Sequence, residues 1–220
     1  MLAILNFITL VAASTASTVL YIMSVSPAQV ERQIGEGAYE RCARFRMAAM
    51  VVMGLAVVNF VLCRSLPFAN WLATPFGWPR WLSFAFALLL GLPALALAIS
   101  GIQDMGSEWL TPAKKNKLVT KGIYKQIRHP QAYQALLWPA LAFGLHSPLL
   151  LAISIPMILI EFIMAMSEEI DLTIRYGETY SKYRDKTGMF FPKGKSNWDF
   201  LAKIFDSIKK PFNNSGEDQQ

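Results

Sequence analysis

Charge is scarce in this chain: Asp, Glu, Lys and Arg make up 16% of the 220 residues, below the roughly 25% of soluble domains, while hydrophobic residues reach 54%. So few charges cannot cover a water-solvated surface, and the expected solvent is lipid. Cysteine is equally sparse. Cys42 and Cys63 lack metal-ligand spacing and are too few for a disulfide framework, and Cys63 lies inside an apolar run, where it serves as a small hydrophobe. The net charge of +6 is the one hint of a nucleic-acid partner. The basic residues lie between long apolar stretches and form no continuous basic face, so nucleic-acid binding is excluded and a membrane loop bias explains the charge.

What the chain has in quantity is apolar length. Residues 2–23 carry no charge and reach the roughly 20 residues of a spanning helix; the alternative, a cleaved signal peptide, lacks its basic leading region. Further spans are predicted over 47–66 and 82–102, separated by a segment with Pro67, Trp71, Pro75, Trp78, Pro79 and Trp81, whose indoles suit the headgroup boundary. Gly91 and Pro93 predict a kink in the third span. After a polar stretch, apolar segments at 133–145 and 149–166 flank a turn at His146, Ser147 and Pro148, the pattern of a helical hairpin. Its first arm is short for a span unless Gln131 and Gln134 also sit at membrane depth, facing protein or a cavity.

The expected fold is therefore all-α and integral to the membrane, with about five transmembrane helices. Three fill residues 1–103, and 104–195 form a core with a cytosolic loop and the hairpin. Trp198, Leu201, Ile204, Phe205 and Ile208 then recur at helical spacing, predicting an interfacial helix over 196–212 that contacts membrane lipids, before a polar, disordered tail over 213–220. Lys and Arg alternate between loops as four, two, six, none and nine. The positive-inside rule then puts the N-terminus outside and the C-terminus in the cytoplasm of a multi-pass protein, with a prokaryotic inner membrane the expected setting.

Two regions facing the cytosol carry chemistry. In the loop, Gly122 allows positive φ and close backbone approach, and Pro130 suits the first turn of the next helix, whose open amides would attract a carboxylate. The plain alternative is a loop turn with Arg128 as a topology charge. The second region is Glu168-Glu169 at the exit of the last span; adjacent helical residues point about 100° apart, and Glu168 shares a face with Met164 and Glu161. A solvated helix end is the alternative there. Glu161 is an ionisable group inside an apolar span, which predicts a cavity or a partner; seven residues put it about 10 Å deeper than Glu168 on the same face.

Taken together, Leu118-Val119, Gly122-Ile123-Tyr124, Arg128-His129-Pro130, Glu168-Glu169, Tyr176-Gly177, Tyr180, Tyr183 and Pro192 keep the order and spacing of a known set. From Asp104 to Lys193 the chain resembles the isoprenylcysteine carboxyl methyltransferase family, an integral membrane family related to phospholipid methyltransferases. The resemblance implies an S-adenosylmethionine-dependent methyltransferase acting on a lipophilic or small membrane-accessible acceptor. It implies that Asn116, Lys117, Leu118, Val119, Tyr124, His129, Pro130, Gln131 and Glu168 cradle the cofactor beside a substrate region with Met164, Tyr133 and Tyr180; His129, and Glu161 by its own place in the apolar span, are the expected catalytic residues.

Three positions depart from the family pattern. Asn116 stands where the family has His, Tyr133 is displaced by one residue from the family's Tyr, and Met164 replaces the Arg expected to orient a substrate carboxylate. An amine, thiol or hydroxyl acceptor that gives its proton to Glu161 is the expectation from the last change. A nicotinamide-dependent membrane reductase of sterol-reductase type and a non-catalytic scaffold or transport component are the alternatives.

Overall fold

The computed structural model describes residues 1–66, 74–106 and 117–193, and these fold into helices with one isolated parallel bridge between Ile127 and Gly188. Four helices are long and apolar enough to cross a membrane: α1 (Leu2–Ser24), α3 (Ala38–Ser65), α4 (Arg80–Met105) and α6 (Pro148–Tyr176). Their outer faces carry Val51, Leu89, Leu159 and Ile163 in exposed positions. Large apolar side chains ringing every long helix match lipid as solvent. The expected interfacial helix and polar tail lie outside the described residues, as do Pro67 and Trp71; Trp78 and Trp81 are exposed.

α1 packs antiparallel along α3 through small and polar residues, as helices do where lipid tails supply no drive to exclude apolar surface. Ser17 Oγ donates to the Ala49 carbonyl at 3.1 Å, and Asn6 Nδ2 donates to the Asn59 carbonyl at 3.1 Å and to Cys63 Sγ at 3.1 Å. A short α2 (Pro27–Ile34) joins them, and its Ala28 amide donates to Asp171 Oδ1 on α6 at 2.8 Å. This bond brings the first loop to the cytosol-facing end expected of α6.

The hairpin departs from a uniform helix in an instructive way. Its first arm is a 3-10 helix over Pro130–Leu136 that continues into α5 (Leu137–Gly144). Pro139 has no amide to give the Ala135 carbonyl, and its ring crowds that oxygen, so the preceding residues tighten to i→i+3 bonding. Seven 3-10 residues and eight α residues rise about 26 Å, against about 22 Å for an all-α arm. The tighter winding also eclipses residues three apart, so Gln131, Gln134 and Leu137 form one stripe.

Two glycines of α4 let this arm approach. A Cβ on Gly101 would lie 2.8 Å from Pro130 Cγ, and one on Gly91 3.3 Å from Ala140 Cβ. The second arm, α6, starts at an N-cap where Ser147 Oγ accepts from the Leu150 amide, and it runs to Tyr176, ten residues past the predicted span. Glu168 and Glu169 thus sit within a continuous helix and not at its end. Gly177, at φ 53°, then turns the chain into α7 (Glu178–Lys186).

Candidate functional site: a polar hub, a cleft and a cavity

The loop ahead of the hairpin is held by its own short turn. Gly122 adopts φ 59°, and the Asp104 carboxylate at the end of α4 accepts from the Ile123 amide at 2.6 Å. A Cβ on Gly122 would overlap that carboxylate, so both the backbone angle and the close approach require glycine. The chain then runs beside the segment after α7: the Arg128 amide donates to the Gly188 carbonyl at 2.9 Å and the His129 amide to Met189 at 3.1 Å.

Glu169 is the centre of this junction. Its carboxylate accepts from Arg128 Nε at 2.8 Å and Nη2 at 3.1 Å, from His129 Nε2 at 2.8 Å and from the Tyr180 hydroxyl at 2.6 Å. Arg128 Nη1 also donates to the Thr187 and Arg184 carbonyls. Loop, α6 and α7 are therefore tied by one largely enclosed carboxylate that four donors satisfy. His129 is 1% exposed, and burial alone would lower its pKa; the charge of Glu168 close to Nδ1 and the hydrogen bond and charge of Glu169 at Nε2 outweigh burial and raise it to about 9. His129 is a cation at neutral pH. Its Nδ1 lies 3.4 Å from Glu168 Oε2, close enough for charge attraction but not aligned for a hydrogen bond, so this buried nitrogen has no hydrogen-bond partner among the described residues.

On the other face of α6 the eclipsed glutamines meet the two remaining carboxylates. Gln131 Nε2 donates to Glu168 Oε2 at 3.4 Å while its Oε1 accepts from the Tyr124 hydroxyl at 3.2 Å. Gln134 Nε2 reaches both oxygens of Glu161 at 3.3 and 3.4 Å. Burial pushes the Tyr124 phenol up, so it stays a neutral donor.

These pairs divide two spaces. A polar cleft of about 80 Å³ is bordered by Lys117, Val119, Tyr124, Arg46, Gln131 and Glu168. An apolar cavity of about 410 Å³ lies deeper in the helices, bordered by Met50, Met53, Trp138, Met164, Gln134 and Glu161. Arg46 and Gln131 border both. The cleft alone is smaller than the roughly 300–1,000 Å³ of small-molecule sites, and the two together fall in that range.

The expected site residues separate on this geometry. Lys117, Leu118, Val119, Tyr124, Gln131 and Glu168 border the cleft, and Glu161 and Met164 border the cavity, while Asn116 lies outside the described residues. His129 and Pro130 border neither space: His129 holds the two glutamates from behind, and Pro130 is spent on the contact with Gly101. Tyr180 borders the cleft, away from the cavity, with its hydroxyl on Glu169. Tyr133 borders an apolar groove outside the cavity, together with Ala132, Phe162 and Phe190, and donates to the Phe190 carbonyl at 2.7 Å.

Four residues were not anticipated. Nothing in the sequence assigns Glu169, Arg46 or Asp171 an individual role, and it places Gln134 only at membrane depth facing protein or a cavity, without naming Glu161 as its partner. A carboxylate within reach of Arg-His was a signal for the first; only the 3-10 register reveals the last. Comparison with protein-family models, curated proteins and solved structures finds no match for this chain.

Proposed function

We propose that the chain is a membrane-embedded methyltransferase that uses S-adenosylmethionine, whose polar groups would enter the polar cleft while the rest reaches past Arg46 and Gln131 into the apolar cavity, where a lipophilic acceptor would meet it. The observation that carries this reading is the seam between the spaces, where Gln131, hydrogen-bonded to Glu168 of the polar cleft, also borders the hydrocarbon-lined cavity. The donor set fits the cofactor. Glu168 is an acceptor for hydroxyl or ammonium groups, Lys117 and Arg46 are cations for a carboxylate, and Val119, Leu118 and Tyr124 offer apolar and aromatic surface for a base.

When bound, the cofactor would supply an electrophilic methyl on a positively charged sulfur. The chain's part is alignment: Tyr124 and Glu168 hold Gln131 from two sides, so the seam is fixed before either ligand arrives. Trp138, Met53 and Met164 give the cavity an apolar lining, and Glu161 is its buried carboxylate, placed to take a proton from an amine, thiol or hydroxyl. The family's cation on α6 is replaced by Met164, while Arg46 borders the same cavity from α3. The fifth crossing is assigned to the 26 Å arm containing α5, and the cleft to the cytosolic side.

Calorimetry in detergent tests the reading. S-adenosylhomocysteine should bind, and Glu168→Gln should weaken it at least tenfold, about 1.4 kcal/mol. Binding of a nicotinamide dinucleotide in its place, or of neither ligand, would refute the assignment.

A further inference from the structure

Between Glu161 and Glu168 lies a third space that neither cleft nor cavity includes. It measures about 10 Å³ and is bordered by Tyr21, His129, Gln131, Glu161, Met164 and Glu168, with Ala132 and Ala165 closing its sides. That is about the room one water requires, and a buried water also needs two to four polar partners. Here the polar residues at its border come from four elements, Glu161 and Glu168 from α6, Tyr21 from α1, Gln131 from the 3-10 arm and the loop's His129, whose buried Nδ1 has no hydrogen-bond partner among the described residues and lies 3.4 Å from Glu168 Oε2. Glu161 borders the acceptor cavity as well as this space, and Glu168 borders this space as well as the polar cleft.

We infer that this space holds a bridging water that carries the proton left by the acceptor from Glu161 to Glu168 and on to the aqueous cleft. The inference rests on the methyltransferase reading. Methyl transfer to a neutral amine, thiol or hydroxyl forms one bond to carbon and breaks one carbon–sulfur bond, whose electron pair stays on sulfur, and it leaves one proton to be removed from the acceptor. Glu161 takes that proton but sits 8% exposed among apolar residues, so it must pass the proton on before a second turnover. The bridging water accepts it from Glu161 and releases one to Glu168, whose side chain is 22% exposed and returns it to solvent. His129, a cation, donates Nδ1–H to the water and orients it. His129 is a positioning residue and ends each cycle in the state in which it began.

The test narrows the space without touching a carboxylate. In Ala165→Val the added methyls occupy the water position; Ala132→Val does the same from the opposite wall and replaces it should Ala165→Val lose S-adenosylhomocysteine binding. Hydrogen–deuterium exchange of the protonated Glu161 carboxyl is followed by its infrared band, identified by its loss in Glu161→Gln, at about pH 5 where carboxyl groups begin to protonate. Exchange at least tenfold slower in the narrowed variant is expected, and equal rates overturn the relay whatever the enzyme's activity.

The second arm uses labelled S-adenosylmethionine with dodecylamine, dodecanethiol, dodecanol and dodecanoate. The relay predicts methylation of one of the first three, with the narrowed variant keeping a first-turnover burst while steady turnover falls at least tenfold. Equal loss of burst and steady rate, or methylation of dodecanoate alone, which releases no proton, overturns it. No methylation of any probe together with no S-adenosylhomocysteine binding refutes the methyltransferase reading, while the infrared exchange still decides the water path.

Discussion

Glu169 is the residue on which loop, α6 and α7 most depend, and its replacement gives the sharpest prediction. Glu169→Ala leaves Arg128, His129 and Tyr180 buried without their shared acceptor, although Arg128 keeps the Thr187 and Arg184 carbonyls. The ion pair is nearly enclosed, with side-chain exposures of 7% for Arg128 and 12% for Glu169, so solvent screening is slight. Breaking such a pair costs about 3–5 kcal/mol. For a chain of this length that is roughly 6–20 °C in midpoint, read from thermal unfolding in detergent.

The pH profile supplies an independent check. His129 has a folded pKa raised to about 9 from 6.5, so its stabilisation is fully present below pH 6.5 and is lost as pH rises through 9. The shift corresponds to about 3 kcal/mol across that window. Glu169→Gln should reduce this slope without abolishing it, because the amide offers His129 no negative charge while Glu168 still raises the imidazole. A wild-type profile flat from pH 6.5 to 9, or variants within about 1 kcal/mol of wild type, would refute the hub.

Gly122→Ala should destabilise the loop by about 1–3 kcal/mol, since it strains a positive φ and drives a methyl into the Asp104 carboxylate; unchanged stability by denaturant titration would count against the turn. Sidedness is open to labelling. Cys42 and Cys63 are buried, so an impermeant maleimide should report on added cysteines alone: Gly77→Cys labels from outside intact cells and Lys186→Cys only after lysis, and the reverse pattern would invert the topology.

Several features were legible before any coordinates. Apolar runs found all four long helices, although α3 begins at Ala38 and α6 continues to Tyr176, both beyond their lipid-facing stretches. The polar ends stay helical because their side chains find partners there: Asp171 takes the Ala28 amide and Glu169 its four donors, a reason hydropathy cannot register. Gly122 was read for positive φ and adopts it. Helical spacing set Glu161 and Glu168 on one face, and both border a common space.

By itself the sequence determined the helical class, the helices long and apolar enough to cross a membrane and the alternation of loop charge, because each follows from composition and run length along one dimension. Tertiary structure decided the division of labour within the polar residues. Glu168 and Glu169 are neighbours of one chemistry, yet one faces a cleft and the other is enclosed by Arg128, His129 and Tyr180. Gln134 meets Glu161 because Pro139 tightens the winding several residues earlier, a displacement that local periodicity at 100° per residue does not contain.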